Sequence, residues 1–133
     1  MTEPPEQRFR RVAQSAEVIR NPRRHDRASF LESLDEIDHA LDLATVRGRQ
    51  GIEPRTVEYY TACMALIRLA ALFEETAYEP LLRPATTRER RAIATMRNIA
   101  AHVGYREMDD ELLWQTLTVD LPELVQRLRR AAS

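Results

Sequence analysis

Between residues 54 and 78 the apolar side chains run almost all the way round a helix. Val57, Tyr60, Met64, Ile67 and Ala71 share one side, and Tyr59, Cys63, Leu66, Ala70 and Phe73 share another. A helix that is apolar on most faces needs burial on most faces. It is therefore either the centre of a bundle or a helix with a partner chain on its far side. Pro54 suits its first turn, and Pro80 and Pro84 mark the connection that follows.

The flanking segments repeat the helical period. Over residues 29 to 47, Phe30, Leu34, Ile37, Leu41 and Ala44 form one stripe, while Glu32, Asp35, Glu36, Asp38 and Asp42 lie mostly off it. Ser29 with Glu32 has the form of a capping box, and Gly48 and Gly51 end the helix. A third helix spans residues 87 to 103 on Ile93, Met96, Ala100 and Val103, with Gly104 as a left-handed stop. A fourth carries Leu112, Leu113, Leu117, Leu121, Leu124 and Leu128; Pro122 interrupts it, so Asp120 is expected to cap a restarted helix. Residues 1 to 28 read as a basic arm or extra helix, with Phe9, Val12, Ala16 and Ile19 at helical spacing before Pro22 breaks the pattern. The expected architecture is all-α, an antiparallel bundle of four to five helices over residues 29 to 133.

Several function classes drop out. A single cysteine, Cys63 in an apolar stretch, excludes an intramolecular disulfide and a cysteine-rich zinc site and reads as a small core residue. The sequence has no metal-ligand cluster, so neither a metal nor a cofactor is expected. No signal peptide or membrane-length apolar run occurs, which makes the cytoplasm the expected compartment. The net charge of −1 exerts no global pull on nucleic acid, yet the charges segregate. Arg8, Arg10, Arg11, Arg20, Arg23, Arg24 and Arg27 load the N-terminal end, and acidic side chains concentrate at residues 32 to 42 and 107 to 111. Every basic residue other than histidine is arginine.

Near the end of the third helix, in "MRNIAAHVGY", Arg97 stands five positions before His102. With 20 arginines in the chain, some Arg–His pair at this spacing has a chance of roughly 40%. Spacing alone therefore decides nothing. Arg20 and His25 repeat it, but in a polar, Pro22-containing segment that reads as an irregular linker with no scaffold for the side chains. The chemistry of the second pair is coherent. Histidine titrates near neutrality and moves protons, while the arginine fork matches phosphate oxygens and stabilises charge growing on a phosphorane. Those groups suffice for RNA cleavage in which the ribose 2′-OH attacks its own phosphate. Positions five apart on a helix diverge by about 140°, so a catalytic pair requires the helix to open at Val103–Gly104, or a two-fold dimer to gather two Arg and two His in one cleft.

"RNIAAH" on a late helix, followed by "DDELLWQTLTVDLPEL", resembles the HepT-like branch of the HEPN superfamily. The likeness covers about residues 29 to 128 and is strongest from 96 to 124. The resemblance implies a dimerising helical bundle that acts as a toxin ribonuclease, with Arg97 and His102 in a composite active site and Asn98 as the supporting polar residue. It also implies a partner, a small nucleotidyltransferase antitoxin that transfers AMP to a tyrosine just after the histidine. Tyr105 is the candidate, although Val103 and Gly104 both stand before it where the family commonly has one residue. The other reading is a non-catalytic helical module that binds a nucleotidyltransferase, with Arg97 in a structural ion pair to the "MDDE" segment. Trp114 reads as a core anchor, and His39 as a solvated residue near Asp35 and Asp42.

Overall fold

The computed structural model describes residues 2–14, 24–102 and 108–133. Six α-helices occur in it: α1 (Pro5–Gln14), α2 (Arg27–Thr45), α3 (Val57–Glu74), α4 (Thr87–Ala101), α5 (Asp110–Gln115) and α6 (Leu121–Ala132). The described residues contain no strand, and the fold is all-α. Cross-helix ion pairs set the direction of the packing. Arg47 reaches Glu58 and Glu36 reaches Arg68, so α2 and α3 run antiparallel. Arg129 near the end of α6 binds Asp35 and Asp38 in the middle of α2, while Asp42 and Thr45 at the end of α2 share a cleft with Thr118 and Pro122, so α6 is antiparallel to α2 as well.

The core lies between α2, α3, α4 and the α5–α6 rod. Phe30, Leu34 and Ile37 meet Leu66 and Leu69, with Ile93, Met96, Leu113, Leu117, Leu121 and Leu128 closing the other sides. Trp114 packs half-buried against this cluster and Cys63 is buried within α3, where burial pushes its thiol up.

Helix ends depart from the sequence reading in several places. Asp26, not Ser29, caps α2; its carboxylate accepts from the Ser29 amide at 2.9 Å, and the Ser29 hydroxyl accepts from the Asp26 amide at 3.0 Å. Ser29 is instead inside the protein, its Oγ 2.7 Å from the Tyr78 hydroxyl. Gly48, at φ 75°, stops the chain after α2 as expected. Thr56 caps α3, taking the Tyr59 amide at 3.0 Å, so Pro54 belongs to the preceding turn. That helix closes at Glu74, and a 3₁₀ segment, Thr76–Leu81, carries Pro80.

Pro122 does not break the last helix. The turn Thr116–Asp120 widens to π geometry, with the Leu121 amide bonded to the Thr116 carbonyl, and Asp120 stays helical without capping anything. A proline ring ordinarily collides with the carbonyl four residues before it. The wider turn relieves that crowding at Thr118, and α5 and α6 continue as one rod.

Candidate functional site

Helix α4 carries the site, and its N-terminal half is held firmly. Thr86 and Glu89 form a reciprocal capping box, with bonds of 3.0 Å and 2.9 Å. Glu89 also receives both Nη atoms of Arg127 from α6, at 2.8 Å and 2.9 Å. Arg127 further donates to the Pro84 carbonyl and to Glu123. The Arg127 guanidinium, foremost, holds the Glu89 carboxyl down at about 2, and Arg127 is shifted upward in return. The next residue, Arg90, lies over the Phe73 ring at 5.8 Å and pairs with Glu79.

A carboxyl lowered in the folded state stabilises it at any pH above the unfolded value, and that contribution fades as pH drops through the folded value. For Glu89 the window runs from the ordinary 4.5 down to about 2. Glu89→Gln is expected to lose about 1–2 kcal/mol at neutral pH, discounting the full shift for partial solvent exposure. Urea unfolding at neutral pH and at two acid values checks this: the gap between variant and wild type should narrow steadily across that window.

At the C-terminal end of α4, Arg97 and Asn98 sit side by side. Arg97 Nε donates to Asn98 Oδ1 at 3.0 Å, and Nη1 pairs with Glu74 Oε1 of α3 at 2.8 Å. The partner is thus Glu74 rather than the "MDDE" segment. The helix ends at Ala101, two residues sooner than the sequence pattern suggests. His102 is already extended (φ −103°, ψ 127°), and its amide donates to the Asn98 carbonyl at 3.1 Å. Asn98 therefore touches both neighbours, Arg97 through its side chain and His102 through its backbone. His102 is exposed, and Met108 is buried in the core. Gly104 and Tyr105 lie outside the described residues.

The outer face of α3, whose last residue pairs with Arg97, is apolar and open. Val57 is 77% exposed, Tyr60 60% and Met64 49%, with Ala71 exposed and Ile67 partly so. These five positions recur every three or four residues on one side of the helix that ends in Glu74, the residue gripping Arg97.

The geometry now has a family to go with it. Residues 57–131, more than half of the chain, match the model of the ribonuclease HepT-like family. The chain belongs to that family. No curated protein and no solved structure matches it. The HepT-like match begins at the first residue of α3 and takes in α4, α5 and α6 with Arg97, Asn98 and His102; α1 and α2 precede it.

Sequence reasoning missed Glu74, which pairs with Arg97, and misjudged His25, which lies outside the HepT-like match. Glu74 is the sole acidic residue in the last four turns of α3, and a charge ending so apolar a helix is a signal that a neighbouring cation awaits it. His25, assigned above to an unscaffolded linker, is held: its ring meets Tyr78 edge-on at 5.4 Å, and Nε2 is 3.6 Å from Glu75. Arg20 lies outside the described residues. His39 is exposed on α2. Among the described residues no group of three His, Cys, Asp or Glu side chains is placed to hold a metal ion, and no helix is long and apolar enough to cross a membrane.

Proposed function

We propose that this chain is a metal-independent endoribonuclease toxin of the cytoplasm, active as a homodimer and neutralised by a small nucleotidyltransferase antitoxin. The observation that carries the reading is the Arg97–Asn98–His102 arrangement at an opened helix end, within the span matched by the HepT-like family. In the reaction, His102 accepts the proton of a ribose 2′-OH, whose oxygen attacks the adjacent phosphorus. Arg97 stabilises the charge of the phosphorane with its planar donors, supplying the electrostatic help that a metal gives other nucleases. The bond to the 5′-oxygen breaks, and that oxygen takes a proton from the second His102 of the dimer. The products are a 2′,3′-cyclic phosphate and a 5′-hydroxyl. Asn98 orients Arg97.

The ion pair with Glu74 is compatible with this role. Glu74 is well exposed, and an exposed pair is worth about 0–1 kcal/mol, so a phosphate displaces it readily. The open stripe of Val57, Tyr60 and Met64 supports the dimer, because an exposed apolar helix face favours burial against a second copy. Transfer of AMP to Tyr105 would add a negative phosphate that competes with the RNA backbone for arginine.

Purified protein should cleave single-stranded RNA or tRNA with EDTA present, leaving cyclic phosphate ends identifiable by mass spectrometry. Intact RNA after prolonged incubation would instead favour the non-catalytic module, for which the Arg97–Glu74 pair is simply structural.

A further inference from the structure

Helix α1 stands outside the HepT-like match and outside the core. All side chains of residues 5 to 13 are exposed, including Phe9 at 76% and Val12. At 100° per residue, Arg8 lies about 100° to one side of Phe9 and Arg10 about 100° to the other, while Val12 is about 60° away. Among the described residues, neither Arg8 nor Arg10 has an ion-pair partner, whereas Arg11, on the far side, binds Glu3. Glu6 is the one carboxylate within α1, in the first turn, where the helix dipole favours it.

We propose that α1 is an accessory binding element for the single-stranded RNA substrate, with Phe9 as a stacking platform and Arg8 and Arg10 as phosphate contacts. This rests on the ribonuclease reading for the identity of the ligand. An exposed aromatic flanked by cations is the combination that binds single strands without reading sequence. Charge complementarity argues the same way. Residues 1 to 27 hold seven arginines against four carboxylates, a balance of +3, so the remaining residues carry −4 of the net −1. A polyanion approaching an acidic body needs such a basic foothold. A lipid surface fits less well, since among the described residues α1 exposes two large apolar side chains, Phe9 and Val12, which offer little area to insert.

The test uses the full chain and a short single-stranded DNA, which lacks the 2′-OH and so is bound but not cleaved. In the R8A/R10A double variant the slope of log affinity against log salt is expected to flatten by about 1.4, each phosphate contact on a single strand being worth about 0.7. Phe9→Ala should weaken binding about tenfold and leave the slope unchanged. Wild-type affinity and slope in both variants would overturn the proposal. So would loss of binding to phosphatidylserine vesicles in the variants while DNA binding persists. A wild-type protein that binds DNA through these residues yet never cleaves RNA would sink the ribonuclease reading and leave the arm's role standing.

Discussion

His102→Ala is expected to lower RNA cleavage by about 10²- to 10⁴-fold, the range supplied by a positioned proton-transfer group. Arg97→Ala should cost about 10²- to 10³-fold through lost stabilisation of the phosphorane. Arg97→Lys should recover only part of this, because an ammonium keeps the charge and loses the two-pronged fit. Stability should barely move in the His102 variant, within about 0.5 kcal/mol, since the side chain is exposed past the helix end. Steady-state cleavage of a labelled oligoribonucleotide, with thermal melts alongside, measures both. Glu74→Gln supplies the decisive comparison. If Arg97 acts on phosphate, removing the carboxylate that grips it leaves turnover within a few-fold. If Arg97 acts only by pairing with Glu74, then Glu74→Gln and Arg97→Ala should give the same small effect, and the catalytic assignment falls.

How far this site was legible in the sequence depends on how local its causes are. The stripes of α2 and α4 follow from periodicity; the all-round apolar character of α3 left a central position and an unpartnered face as alternatives, and the structure buries one side of α3 and leaves Val57, Tyr60 and Met64 exposed. The caps were harder. Asp26–Ser29 and Ser29–Glu32 have the same three-residue spacing, and the choice between them was made by Tyr78, 49 residues away, whose hydroxyl takes Ser29 into the interior. Likewise Pro122 carries the ordinary signature of a helix break, and only the π-widened turn ahead of it lets the rod continue. Glu74 and Arg97 lie on different helices, so their pairing depends on how α3 and α4 pack, which no spacing rule reports. Context separated Arg97–His102 from the equal spacing at Arg20–His25, and the HepT-like match spans the first pair and not the second. Yet the notion that His25 lacked a scaffold failed because Tyr78 and Glu75 reach it from another segment.

Met64→Glu should separate dimerisation from folding. Met64 is 49% exposed, in the middle of the α3 stripe between Tyr60 and Ile67. In a monomer a glutamate there meets water and is a good helix former, so helicity and melting temperature should hold or rise slightly. In a two-fold interface the same change brings a carboxylate into an apolar contact from each side, near its own symmetry mate. Burying unpaired charge costs several kcal/mol, and about 4 kcal/mol corresponds to roughly 10³-fold in the dimer dissociation constant. Sedimentation at micromolar concentration should therefore show wild-type dimers and Met64→Glu monomers. Cleavage should fall with the dimer population and return as the variant is concentrated, since the catalytic groups themselves are untouched. A Met64→Glu protein that stays dimeric and fully active would place the interface elsewhere, and one that is monomeric yet fully active would remove the composite site. The exposed stripe matters to function only if assembly and cleavage are lost together.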